Sequence, residues 1–314
     1  MQFEVTILGS NGAVAAYERY PSSQALHYNG QTFLIDCGEG TQFRMNKFGI
    51  RPGRLDHIFI SHLHGDHYFG LAGLLTTFNL NWRQQPLHVY APRGLEEIIK
   101  LQFTYADTKL KFDLHFHPID TAAHAVIYED EHLTVETIPL VHRIPTAGFL
   151  FREKKLLRKI IAEKMAEYQI PYAQIPLIRQ GSDFVTSDGN VIPNSELTTD
   201  PTPARSYAYC SDTLYTESIL DIIQHVDLLY HETTFSQLHE ARATETFHTT
   251  TTQAATLALK AGVKKLLIGH FSARYEDLNA LLAECRSIFP NTYLAEEGAT
   301  FIVGEAISEI AVHP

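Results

Sequence analysis

Residues 62–67 read His-Leu-His-Gly-Asp-His, and no other stretch of this 314-residue chain constrains it as tightly. Neutral imidazole and carboxylate are the ligand types that zinc takes, at about 2.0–2.2 Å. Three neighbouring histidines would repel one another on protonation near acid pH, and a metal ion holds them neutral. A polar turn bonded to backbone and water accounts for any single member better than for the four together. The stretch Leu55 to Ser61, centred on Ile58, Phe59 and Ile60, predicts a strand directly before the cluster. The cluster therefore lies just past a strand's carboxyl end, where open α/β folds place their sites. Gly65 lets the turn close tightly.

One loop cannot complete two metal spheres. Three further residues share the placement of His62: His142 follows Ile138 to Val141, Asp212 follows Tyr207 to Ser211, and His270 follows Leu266 to Gly269. Parallel or mixed strands would bring these ends to one edge, and a carboxylate such as Asp212 can bridge two cations where a histidine cannot. Each alone is as readily a structural polar residue; the shared placement decides for a site. His248 precedes a predicted helix, Thr250 to Gly262, with no strand before it. Its segment reads either as an N-cap through Thr249 or Thr250 or as an acid or phosphate contact at a helix start. His231 ends a strand and is read as structural or supporting. His57, His88, His115 and His117 show no spacing logic and receive no role.

Short apolar runs around Phe3, Thr32 to Asp36, Leu87 to Ala91, Leu133 to Val141, Ser206 to Cys210 and Asp227 to Tyr230 alternate with predicted helices at Leu71 to Phe78, Arg93 to Tyr105 and Leu278 to Phe289. That interleaving implies an α/β protein of layered sheets and helices. Residues 151–204 depart from it. They predict a basic helix carrying Arg152, Lys154, Lys155, Arg158, Lys159 and Lys164, with Leu157, Ile161 and Met165 four apart, then irregular chain around Pro171 and Pro176. We read an insertion projecting from a single domain over residues 1–314; a solvated helix with i,i+4 ion pairs is the plainer alternative.

The formal charge of −11 argues against a surface that coats nucleic acid wholesale, though not against a local basic element. Cys37, Cys210 and Cys285 lie far apart without a CxxC pair, so a disulfide framework is not expected and a reducing interior is. Glu4 stands where a signal peptide wants positive charge, and no apolar run approaches the roughly 18 residues of a membrane span. The expectation is a cytoplasmic protein without a membrane partner.

The HxHxDH cluster followed by isolated His, Asp and His resembles the metallo-β-lactamase superfamily. That resemblance implies a four-layer αβ/βα sandwich with two mixed β-sheets and a dinuclear site between them. Nearly end to end, the chain is similar to the short-form ribonuclease Z branch, which removes the 3′ trailer from precursor tRNA. The residues carrying this are Leu34 to Gln42, Phe59 to Leu71, Ser211-Asp212-Thr213, His231-Glu232-Thr233-Thr234-Phe235, His248-Thr249-Thr250 and His270 to Tyr275. The resemblance implies one metal on His62, His64 and His142, another on Asp66, His67 and His270, and Asp212 between them. It implies two zinc ions, with manganese or iron compatible with the same ligands. Asp66 becomes the proton acceptor, His248 the phosphate contact and donor to the leaving oxygen, and Arg274 a phosphate contact. The insertion corresponds to the family's tRNA-gripping arm, so Lys154, Lys155, Arg158 and Lys159 become substrate contacts. The arm's usual Gly-Pro motif is missing from Ile170 to Leu177. A homodimer is implied by the resemblance alone.

Two other functions are compatible with these residues. A phosphodiesterase acting on small or cyclic diesters keeps the metal chemistry and is suggested by the altered arm. A non-catalytic RNA-binding subunit would be expected to have lost ligands, and metal content separates it from the others.

Overall fold

The computed structural model describes residues 2–305 and the backbone of 311–312. The first apolar runs become β1 (Phe3–Gly9), β2 (Ser23–Tyr28) and β3 (Gln31–Ile35), joined antiparallel. From β3 the sheet continues parallel through β4 (Leu55–Phe59), β5 (Leu87–Ala91) and β6 (Leu114–Pro118). Strand Ala299–Ile302 pairs with the outer edge of β1, and Ala311–Val312 pairs beyond it. β1 is buried on both faces rather than alternating, as expected for a sheet inside a layered stack. Helices α1 (Thr41–Lys47), α2 (Gly65–Leu80) and α3 (Leu95–Tyr105) cover one of its faces. There Leu34, Ile58 and Val89 pack with Leu71, Leu75, Phe78 and Ile99.

A second mixed sheet contains β7 (Val126–Glu129), β8 (Leu133–Pro139) and β9 (Ala147–Glu153). Next to β9 come four parallel strands, Ser206–Cys210, Leu228–Glu232, Leu266–Gly269 and Thr292–Leu294. Helices Thr251–Ala261 and Asn279–Arg286 cover its outer face through Leu257, Ala258 and Leu281, against Ala208, Leu229 and Ile268. The inner faces meet through aromatic rings: Phe59 lies 5.4 Å from Phe149 and Phe33 lies 5.9 Å from Phe151, centre to centre. The result is the expected four-layer αβ/βα sandwich. Among the described residues no helix is long and apolar enough to cross a membrane.

One helix start needs correction. α2 starts at Gly65 rather than near Leu71, so Asp66 and His67 occupy its first turn, where the helix dipole favours the carboxylate. Gly65 is therefore helical, and its missing side chain serves a neighbour: a Cβ there would lie 2.2 Å from Phe69 Cε2. The expected helix at 250–262 forms as Thr251–Ala261, with Thr250 and Gln253 in a capping box and Gly262 ending it at φ 61°.

Residues 131–133 and 152–205 form a separate compact unit around Ile170, Ile178, Phe184 and Leu197. The predicted basic helix does not exist there: residues up to Glu153 belong to β9, Lys159–Ile160 is a two-residue strand, and the helix spans only Ala162–Glu167. Pairing overrides the helix propensity of this stretch. The Glu153 backbone N–H donates to Arg205 O at 2.9 Å, and the Glu153 carboxylate takes the Arg205 guanidinium at 2.7 Å. The three cysteines are free and buried.

Candidate metal centre

Four strand ends supply the site. His62 lies three residues past β4, His142 three past β8, Asp212 two past Cys210, and His270 directly after Gly269. His64 is the N-cap of α2, and Asp66 and His67 follow in its first turn. The seven residues chosen from sequence as metal ligands thus converge, in two clusters that share a carboxylate.

In one cluster, His62 Nε2 and His64 Nδ1 lie 3.1 Å apart, and His64 Nδ1 lies 3.2 Å from His142 Nε2. Asp212 Oδ2 closes the group at 3.5 Å from His62 and 3.7 Å from His142. In the other, His67 Nε2 lies 3.4 Å from Asp66 Oδ2 and 3.3 Å from Asp212 Oδ1. His270 Nε2 lies 3.6 Å from Asp66 Oδ2 and 2.9 Å from Asp212 Oδ1. Ligand atoms about 2.0–2.1 Å from a tetrahedral ion sit about 3.3 Å apart, so both clusters have the size of a coordination shell. The two oxygens of Asp212 serve one cluster each.

Both groups of ligands could hold a metal ion. The nitrogens themselves support this. Nε2 of His67 and Nε2 of His270 are buried without a hydrogen-bond partner, a costly state for a polar atom unless an ion completes it. Burial pushes the His62 imidazole down to about 4, helped by the neighbouring His67, which leaves it neutral and able to ligate at neutral pH.

His67, His142 and His270 are held from behind, as metal-binding histidines usually are. His67 Nδ1 meets Asp36 Oδ2 at 2.7 Å, and Asp36 also accepts from Ser61 N at 2.7 Å and Tyr209 Oη at 2.7 Å. His142 Nδ1 donates to Phe247 O at 2.9 Å, and His270 Nδ1 meets Thr234 Oγ1 at 2.9 Å. Gly12 backs His270: a Cβ there would fall 2.6 Å from its Cε1. Asp66 Oδ2 accepts from the Ala13 backbone at 2.7 Å.

His248 sits beside both clusters, within 4.8 Å of ligand atoms of Asp212 and His270. Its Nδ1 lies 2.9 Å from Glu232 Oε1. Burial acts to lower the His248 pKa, but the Glu232 charge and hydrogen bond reverse that and leave it raised. Glu232 is fully buried and is pinned by Thr213 N at 2.8 Å and Thr234 N at 3.2 Å. Thr250 caps the helix and His248 lies before it, so capping and site roles fall to different residues. His231 is buried, points its Nδ1 to the Glu232 carbonyl and belongs to neither cluster.

A cavity of about 580 Å³ opens over the clusters, lined by His64, Asp66, Asp212, His248, Arg143 and Phe69 among others. Arg274 is not on its wall; its guanidinium lies over the Phe235 ring at 5.1 Å. Lys154, Lys155, Arg158 and Lys159 belong to the second unit, where Arg158 is engaged by Thr198 Oγ1 at 2.6 Å and by Asp200. Sequence reasoning missed Asp36, Glu232 as the anchor of His248, Arg143 and Phe69. Glu232 and Asp36 stood inside quoted motifs, and a carboxylate predicted to be buried beside a ligand strand is the signal that would have found them.

The family model described as Anti-Pycsar protein Apyc1 matches residues 3–166. The chain is 48% identical over 296 residues to a Bacteroides fragilis protein named Ribonuclease Z, covering 94% of this chain and 97% of that one. It is 47% identical over 295 residues to the Porphyromonas gingivalis protein of the same name, covering 94% and 97%. The crystal structure of human tRNase Z, short form, superposes with a TM-score of 0.69 at 27% identity, covering 95% of this chain and 98% of that one.

Proposed function

The chain belongs to the ribonuclease Z family, with residues 3–166 falling also in the family described as Anti-Pycsar protein Apyc1, and we propose that it is a metal-dependent endoribonuclease that removes the 3′ trailer of precursor tRNA. The observation that carries the chemistry is the division of Asp212 between two ligand clusters, 2.9 Å from His270 through one oxygen and 3.5 Å from His62 through the other. We assign one divalent ion to His62, His64, His142 and Asp212, and a second to Asp66, His67, His270 and Asp212, with zinc as the ion. Two such ions supply Lewis-acid charge against a phosphodiester and acidify a water toward neutrality.

The chain's own residues do the rest. Asp66, placed at the start of α2 with one oxygen toward the histidines, accepts the proton of the attacking water. His248, held by Glu232 and with its pKa raised by that charge, donates to the departing 3′ oxygen, which becomes the tRNA hydroxyl while the trailer keeps the 5′-phosphate. Asp36, Thr234 and Phe247 hold the ligand imidazoles in one tautomer and orientation. Arg143, on the cavity wall, contributes charge toward a flanking phosphate.

Residues 152–205 are proposed as the tRNA-gripping unit, in a homodimer working in the cytoplasm. Without a basic helix, its grip would come from Lys155 and Lys159, both exposed, rather than from the self-paired Arg158. That missing helix also supports a second reading, in which the substrate is a small phosphodiester. Removing residues 152–205 separates them: a tRNA enzyme loses tRNA cleavage far more than small-diester turnover, whereas equal effects favour the small substrate. The direct test is incubation with 5′-labelled precursor tRNA. A product ending in a 3′-hydroxyl at the acceptor stem supports the proposal; random cuts or none refute it.

A further inference from the structure

Phe69 is 64% exposed, yet it is not a stray surface residue: it lines the cavity whose other walls carry His64, Asp66, Asp212, His248 and His270. Its position is built into the local backbone. The ring lies against the α-carbon of Gly65, so closely that any Cβ at that residue would fall 2.2 Å from Cε2 and 2.4 Å from Cζ. Gly65 stands between the ligands His64 and Asp66, so the phenyl is anchored one residue from a member of each metal cluster. Tyr68 meets it edge-on at 5.1 Å, an added brace.

Isolated exposed apolar side chains are ordinary on protein surfaces. A phenyl braced on the backbone of a catalytic turn, at the mouth of a cavity of polar ligands, has a more specific use. The bases flanking a phosphate are separated from it by a single sugar, and single-stranded RNA is bound by laying such bases on aromatic side chains. Stacking tolerates any base, so it requires no fixed sequence beside the cut. We infer that Phe69 is the platform on which a base flanking the scissile phosphate stacks, positioning the diester over Asp66 and His248. This rests on the proposed function and specifies how that site holds its RNA.

The test compares cleavage of a normal precursor tRNA with that of one carrying abasic residues on both sides of the scissile phosphate. Wild-type protein should cut the abasic precursor more slowly, by about 5- to 150-fold in kcat/KM, the range that loss of one base–aromatic stack gives. Phe69→Ala and Phe69→Leu should lose a similar factor on the normal precursor and almost nothing more on the abasic one. Phe69→Trp should stay within about threefold of wild type on both. Bound metal per chain should be the same in all four proteins, which separates lost stacking from a damaged site. Equal wild-type rates on the two precursors overturn the inference without any variant. So does a Phe69→Leu protein with full activity, or a Phe69→Ala loss that persists undiminished on the abasic RNA. If wild-type protein cuts no precursor, the functional proposal itself has failed, and that is seen before any variant is compared.

Discussion

Glu232 holds His248 from behind: its buried Oε1 lies 2.9 Å from His248 Nδ1, leaving the rest of the ring to face Asp212 and His270. A proton donor is needed most when the leaving group is a poor one. His248→Ala should lower kcat on precursor tRNA by about 10²–10⁴-fold while slowing a p-nitrophenyl diester, whose leaving group needs no proton, far less. Steady-state rates on the two substrates decide it. Equal losses on both would assign His248 to binding or to structure.

Asp36 stands in the same relation to His67. Replacing it by Asn keeps the shape but removes the charge that Ser61 N, Tyr209 Oη and His67 Nδ1 share. Metal affinity, measured by competition with a chromophoric chelator, should fall about 10- to 100-fold. Unchanged affinity would show that the imidazole is positioned without it.

Metal removal should be felt in stability as well as in activity. With Nε2 of His67 and of His270 buried against carboxylates but without a hydrogen bond in the protein alone, ion binding stabilises the folded chain and not the unfolded one. At a free concentration 100 times its dissociation constant, one ion adds about 2.7 kcal/mol. Thermal melts with chelator should therefore show a lower midpoint, restored by added zinc. Identical melts in chelator and in zinc would contradict the assignment.

These sites differ in how far the sequence reveals them. His142, Asp212 and His270 were legible because each follows an apolar run as His62 does, and a sheet brings strand ends together. Glu232 and Thr234 were harder to see, because the histidines they contact, His248 and His270, lie 16 and 36 residues further along the chain. The basic helix was misread for a physical reason: Glu153 and Arg205 are 52 residues apart, and their pairing extends a strand through a stretch that local propensity assigns to helix. Phe69 differs: its ring rests on Gly65, four residues back, as soon as α2 is seen to start at Gly65 rather than near Leu71.

A row of histidines gave no sequence signal at all, since its members come from three strands. Phe33, His57, His88 and His115 are successive cross-strand neighbours from β3 to β6, with adjacent rings stacked 5.6, 5.2 and 4.9 Å apart. Burial pushes the His57 imidazole down to about 4, and His88 reinforces the shift. The folded protein therefore refuses a proton that the unfolded chain accepts near pH 6.5. Stability from this group is whole above pH 6.5 and declines as the pH falls toward 4, by about 2–3 kcal/mol. His57→Phe, a flat ring that fits the same stack, should flatten the pH dependence of urea unfolding across that window. A slope equal to that of wild type would show that His57 does not carry it.

The central claim is that one carboxylate joins two metal shells. Anomalous diffraction from zinc-loaded crystals tests it most directly. Two peaks are expected, one on either side of Asp212 and about 3.5–4 Å apart, the first against His62, His64 and His142 and the second against Asp66, His67 and His270. A single peak, or a second ion that Asp212 does not touch, would contradict it.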